Sequence, residues 1–183
     1  ANEADRLARI VDDILWASQL ESGRLQFGIE SCDAGAVAAE VVEAARAHLP
    51  KGVSIELVLP PSLPEVAGDR DKIRQVLVNL IENAVKYSPE GGTVEVHVEP
   101  LERRLRVSVR DEGLGIPLTE QQRIFEKFYR LDPNLTRGVG GTGLGLYICR
   151  ELVRRMNGRL WVASKEGQGS TFFVELPLAE AVR

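Results

Sequence analysis

Gly138-Val139-Gly140-Gly141-Thr142-Gly143-Leu144-Gly145-Leu146 runs straight into an amphipathic helical pattern, and five of its nine residues are glycine. Glycine adds no side-chain burial and loses the most conformational freedom on folding, so this run is not a packed core element. Its use is to bring backbone N–H groups close to an anion at a helix start, where unpaired donors and the helix dipole favour negative charge. Phosphate is the first candidate. Two phosphate-binding folds can be tested against it. Gly138 to Gly143 formally matches the dinucleotide fingerprint, but that motif follows a strand directly, and here the loop Leu131–Arg137 comes first. No Gly-x-x-x-x-Gly-Lys-Ser/Thr occurs, which removes the P-loop fold.

Outward from the glycine run, the chain alternates helical and strand patterns. Residues 3–22 read as a helix with Leu7, Ile10, Val11, Ile14 and Leu15 on one face. An ordinary surface helix and one half of a helical hairpin or dimer seam both fit it. Gly23 and Gly28 loosen the chain after it and mark a boundary. A second helix over 34–49 stops at Pro50 and Gly52, and Val53–Leu59 alternates as a strand. Pro60, Pro61 and Pro64 make a loop. Asp69 is a good N-cap for a long helix reaching Tyr87. Val94, Val96 and Val98, then Leu105, Val107 and Val109, form a hairpin. A short helix is expected over Thr119–Lys127. The glycine run leads into a helix from Leu144 to Met156, closed by Asn157-Gly158, and Leu160–Ala163 with Thr171–Leu176 forms a last hairpin. Strands joined mainly as hairpins give a mixed or antiparallel sheet. Helices on one face complete a two-layer α/β sandwich.

Composition limits the function classes. The 183 residues carry a net charge of −4, which weighs against a general nucleic-acid binder, and 44% hydrophobic with 27% charged residues reads as globular. No apolar run reaches the roughly 18 residues a membrane span needs, and no signal peptide is visible. Cys32 and Cys149 are far apart and lack metal-site spacing, so reduced thiols in a cytosol-like compartment are expected.

Chemistry-bearing residues cluster around the helix over 69–87. Ile73, Val76, Leu77, Leu80, Ile81 and Ala84 make its buried stripe, and Asn79 and Asn83 stack on one flank with Lys86 on the same side. Amides at a half-buried edge need partners, and an Asn carbonyl is a suitable hard ligand for Mg²⁺. Next, Arg110-Asp111-Glu112-Gly113-Leu114-Gly115-Ile116-Pro117 follows a strand. Its glycines permit a tight turn, and Asp111 is placed to accept from an exocyclic amine; a plain polar turn has the same composition. Phe125, Phe128 and Tyr129 read partly as core packing. Arg130 and Arg137 bracket the loop before the glycines and, beside a polyphosphate, become clamps.

These segments, in this order and spacing, resemble the ATP-binding catalytic domain of bacterial two-component sensor histidine kinases. These are Bergerat-fold proteins related to gyrases, mismatch-repair ATPases and ATP-dependent chaperones. Asn79–Ser88 looks like the N box, Asp111–Pro117 the G1 box, Phe125–Arg130 the F box and Gly141–Leu146 the G2 box. The likeness covers roughly residues 30–178, and its specificity comes from four boxes in order.

The resemblance implies roles by position. Asp111 holds the adenine amino group, with Gly113, Gly115 and Ile116 beside it. Asn83 ligates Mg²⁺ with Asn79 nearby. Lys86, Tyr87, Phe128, Arg130 and Arg137 line the phosphates or the nucleotide rim. Gly141, Thr142, Gly143, Leu144 and Gly145 wrap the phosphates, and residues 131–140 form the ATP lid. Asn79, Lys86 and Arg130 are the residues expected to act in catalysis. Hydrolytic relatives carry a glutamate where Asn79 stands, and an amide is not a general base, so slow ATP hydrolysis and phosphoryl transfer to a protein residue are expected.

The resemblance also divides the chain. Residues 1–28 look like the second helix and linker of the dimerisation and phosphotransfer hairpin, and 29–183 like the catalytic domain. Neither His48 nor His97 has the flanking pattern of a phosphoacceptor, so the acceptor helix is expected outside this chain, which would bind Mg-ATP without labelling itself. Implied partners are ATP or ADP, the acceptor helix, a response-regulator receiver domain and, in the full-length protein, a second copy. The implied location is the cytoplasmic portion of a membrane-anchored sensor. A regulatory nucleotide-binding module and a serine kinase of the same fold are the alternatives.

Overall fold

The computed structural model describes residues 3–131 and 141–182. Helix α1 spans Glu3–Glu21, followed by β1 (Glu30–Cys32), α2 (Ala34–Arg46), β2 (Val53–Val58), β3 (Val66–Gly68) and α3 (Arg70–Lys86). The hairpin strands β4 (Gly92–Pro100) and β5 (Arg104–Asp111) come next, then α4 (Gly145–Arg155) and a second hairpin, β6 (Arg159–Lys165) and β7 (Gly169–Pro177). Five strands form one sheet in the order β2-β4-β5-β7-β6, with β2 parallel to β4 and every other pairing antiparallel. The mixed sheet and its layer of helices are the two-layer sandwich expected from the sequence.

Alternation and helical periodicity aim at the same core. Val94, Val96 and Val98 of β4, Leu105, Val107 and Val109 of β5, and Phe172, Val174 and Leu176 of β7 are buried on one sheet face. Against them lie the buried stripe of α3, residues Val37, Ala38, Val41 and Val42 of α2, and Ile148, Cys149, Leu152 and Val153 of α4. Truncating one of these large side chains costs about 2–5 kcal/mol, because the cavity left behind relaxes only in part. Asp69 caps α3 as its position suggests: Oδ1 accepts from the Asp71 and Lys72 amides, and Oδ2 accepts from Gly28 N. Cys32 and Cys149 are buried, unpaired thiols.

The other sheet face is held by charge. Arg159, Glu175, Arg106 and Glu99 stand opposite one another across β6, β7, β5 and β4. Glu175 is 1% exposed; Oε1 accepts from Arg106 and Oε2 from Arg159. Burial works to raise its carboxyl, but hydrogen bonds and charge from Arg159 and Arg106 outweigh it, and the group titrates below its ordinary value.

Three local expectations change. The helix expected over Thr119–Lys127 is one 3-10 turn, Arg123–Phe125, because Gln121 spends its amide on Ile116 O and Ser164 O, and Phe128 adopts a left-handed φ of 60°. Helix α2 stops at Arg46 rather than at residue 49. Strands β1 and β3, absent from the sequence reading, pair antiparallel over three residues each, too short for an alternating pattern to register.

Candidate functional site

The open ends of α3, β5 and α4 meet at one edge of the sandwich. Helix α3 ends at the N-box residues Lys86 and Tyr87, where Tyr87 is the C-cap. Its carbonyl accepts from Leu114 N at 3.3 Å, which ties the loop after β5 to the helix end. Only glycine fits at 113: a Cβ there would stand 2.0 Å from Tyr87 O. Gly115, with φ +69°, is pressed equally closely on Lys165 O. Ile116 N donates to Ser164 Oγ, which itself lies 2.7 Å from Ser170 Oγ. The loop is thus clamped between a helix end and the β6–β7 turn, and Asp111 is left buried at the head of it. Ser164, Ser170 and Gln121 do this clamping and escaped the sequence reading, since a serine on a strand carries no signal of its own.

Asp111 is 5% exposed, and its Oδ1 accepts from Gly113 N at 2.9 Å. Burial pushes its carboxyl above the ordinary value, against backbone hydrogen bonds from Gly113 and Ser170. A buried carboxylate with lone pairs to spare is a strong acceptor for an amine.

On α3, Asn79 and Asn83 are half-buried one turn apart. Asn79 Oδ1 accepts from Gln75 at 3.3 Å, and its Nδ2 points to Cys149 Sγ at 3.5 Å. Both ends of the amide are engaged, and an amide is not a general base. Among the described residues, no cluster of three or more His, Cys, Asp or Glu side chains is arranged to hold a metal ion.

The glycine loop closes the site from the far side. A Cβ on Gly141 would stand 2.8 Å from Lys86 Nζ, and one on Gly145 3.9 Å from Asn79 Nδ2. Gly143, at φ +73°, lies against the backbone of Phe128 and Tyr129. The four segments therefore touch in pairs: Gly113 on Tyr87, Gly141 on Lys86, Gly145 beside Asn79, and Gly143 on Phe128. Helix α4 begins at Gly145 without a side-chain cap, so its first-turn amides remain open to an anion. The Leu144 amide is already given to Thr142 Oγ1, and the Leu144 side chain belongs to the core.

Cationic charge gathers at the same place. Lys86 Nζ lies 5.4 Å over the Tyr87 ring. Burial, then the charges of Arg130 and Arg9, push the Lys86 ammonium below its ordinary value. Tyr87 is raised by burial, with Arg130 opposing. The aromatic segment splits as expected: Phe125 is buried edge-on to Phe172, whereas the Phe128 ring is 68% exposed at the rim. Arg137 and Gly138–Gly140 lie outside the described residues.

Residues 68–180, more than half of the chain, match the family described as histidine kinase-, DNA gyrase B-, and HSP90-like ATPase. The chain belongs to this family. Its matched span takes in every described member of the site. Over 98% of its length the chain is 41% identical to the sensor histidine kinase WalK of Bacillus subtilis, and it spans 30% of that protein. Two solved structures superpose closely. Full-length ShkA in complex with AMPPNP gives a TM-score of 0.85 at 31% identity, over 97% of this chain and 37% of that one. The histidine kinase AdeS of Acinetobacter baumannii gives 0.78 at 26%, over 97% and 81%. The expected fold and family are thereby established. Among the described residues, no helix is long and apolar enough to cross a membrane.

Proposed function

We propose that this chain is the ATP-binding catalytic region of a two-component sensor histidine kinase. The pairwise meeting of the four segments around Lys86 and the open start of α4 is the observation that carries this reading. In it, Asp111 accepts from the adenine amino group, and Gly113 and Gly115 let the base approach the backbone. Lys86 and Arg130 neutralise the polyphosphate, with Arg137 joining them, while the amides around Gly141, Gly143 and Gly145 hold its oxygens. Asn83 supplies an oxygen ligand to Mg²⁺, which when bound screens the β- and γ-phosphate charge.

Phosphoryl transfer then breaks the bond between the γ-phosphorus and the ADP oxygen. A bond forms to an imidazole nitrogen, and the proton leaves with solvent. The chain's part is positioning and charge, since Asn79 is no base for water. Neither histidine of the chain serves as acceptor in this reading. His48 is exposed beyond the end of α2, and His97 faces solvent on β4 beside Glu95. Helix α1 fits the second helix of a dimerisation hairpin: Leu7, Val11, Ile14 and Leu15 remain 51–56% exposed along one stripe while Ala17 and Leu20 are buried. The acceptor helix, a receiver domain and a second copy are the partners this implies, on the cytoplasmic side of a membrane-anchored sensor.

Calorimetric titration with Mg-ATP tests the nucleotide part. The chain binds, and Asn83→Asp weakens binding about tenfold or more, because a carboxylate faces the phosphates. This corresponds to about 1.4 kcal/mol. Unchanged affinity contradicts the assignment of Asn83.

A further inference from the structure

Helix α1 reaches into the nucleotide site itself. Asp13 accepts a hydrogen bond from Thr142 Oγ1 at 2.7 Å, and the same oxygen accepts from Leu144 N at 3.1 Å. The hydroxyl both donates and accepts, so its rotation is fixed. Thr142 stands between Gly141 and Gly143, the two residues pressed on Lys86 and on Phe128. Asp13 thereby holds the stretch of backbone that the nucleotide reading assigns to phosphate. Its carboxyl is half-buried and is raised mainly by that burial.

Arg9 lies one turn before Asp13 on the same face of α1. Its charge acts on Lys86 together with that of Arg130, and Lys86 Nζ is the group beside Gly141. Three cations from three separate segments thus bear on one small region. Asp13 and Glu82 are the acidic groups that act on Arg9 and Lys86, and an anion arriving there meets cations from three separate segments. Asp111 and its loop are clamped by Tyr87, Ser164 and Lys165, whereas Asp13 is bonded to Thr142 of the glycine loop. Arg9, one turn from Asp13, shares that side of α1.

The docking of α1 does not depend on these two residues. Ala17 and Leu20 are buried, Arg155 donates to Leu20 O, Glu21 pairs with Lys127, and Lys72 lies 4.9 Å over the Trp16 ring. Substitutions at Arg9 and Asp13 leave all of these contacts in place.

We infer that α1 completes the nucleotide site. Asp13 is a positioning residue for Thr142 and the Gly141–Gly143 backbone, and Arg9 is a third phosphate-binding cation whose contribution grows with the number of phosphates. This rests on the reading of the site as one for ATP.

The test is titration of the chain, with Mg²⁺, by adenosine, ADP and the non-hydrolysable triphosphate AMPPNP. Arg9→Gln should weaken AMPPNP about tenfold, ADP less and adenosine not at all, and Arg9→Lys should restore most of the loss. Asp13→Ala should weaken both phosphorylated ligands several-fold, whereas Asp13→Asn, which keeps an acceptor for Thr142, should stay near the unsubstituted value. An equal loss for all three ligands, or no loss, with Arg9→Gln overturns the inference and leaves the nucleotide site standing. Failure of the unsubstituted chain to bind any of the three overturns the nucleotide reading and this inference with it.

Discussion

Asp111 and Lys86 are both held away from their ordinary titration ranges, each in the direction that disfavours its charged form. For Asp111 the fold binds the proton more tightly than the unfolded chain does. Its contribution to stability is therefore greatest at low pH and is lost as pH rises past the ordinary value of 3.8 and through the raised folded value. Where the buried carboxyl is ionised its burial is a cost to folding, and in the proposed reading that ionised group accepts from adenine. Asp111→Asn should be at least as stable as the unsubstituted chain in thermal unfolding at pH 7. It should bind ATP about thirtyfold more weakly, the worth of about 2 kcal/mol for a hydrogen bond to a charged group. Equal ATP affinity would count against the role of Asp111.

Lys86 gives a complementary signature. An arriving phosphate favours the ammonium and moves its titration back up toward 10.5. Binding should accordingly take up protons over the pH range in which Lys86 of the free chain titrates. Titrations in two buffers of different ionisation heat measure this; the uptake should vanish in Lys86→Met, and proton release would contradict the placement of Lys86 at phosphate.

Among the elements, the glycine loop is the one most exposed to a single methyl group. At Gly143 an added Cβ would lie 2.7 Å from the Phe128 carbonyl carbon and 2.9 Å from Tyr129 O, both backbone atoms that cannot rotate aside. Alanine at φ +73° carries a further penalty of about 1–2 kcal/mol. Gly143→Ala should fold but lose nucleotide affinity tenfold or more, by parting the F-box backbone from the loop. Gly23→Ala is the control: its φ is +66° but nothing lies within 4 Å, so it should lose stability and keep affinity. Equal affinity in both would mean that the loop does not touch the ligand.

Those elements were legible in the sequence to different degrees. The stripe of α3, its Asp69 cap and the valine alternation of β4 each state one periodicity without competition, and all three formed as expected. The 3-10 turn at Arg123–Phe125 was overread as a helix, because Gln121 serves the G1 loop rather than a helical turn. The four segments that meet at the site were legible because each is local in sequence. The clamp by Ser164 and the reach of Asp13 to Thr142 were not, since each joins residues far apart in sequence that only the finished fold brings together.

The whole molecule gathers the four segments at one edge of the sandwich and leaves an apolar stripe of α1 open. Its charged sheet face is a matter of stability, with Glu175 satisfied by two arginines. In the proposed function this assembly holds ATP and hands the γ-phosphate to a histidine that is neither His48 nor His97. Incubation with γ-labelled ATP and Mg²⁺, with and without a separately made phosphoacceptor hairpin, measures this most directly. No acid-labile label is expected on the chain alone, with label on the hairpin when both are present and little free phosphate. Acid-labile phosphohistidine on the isolated chain, or rapid release of phosphate without any acceptor, would contradict it.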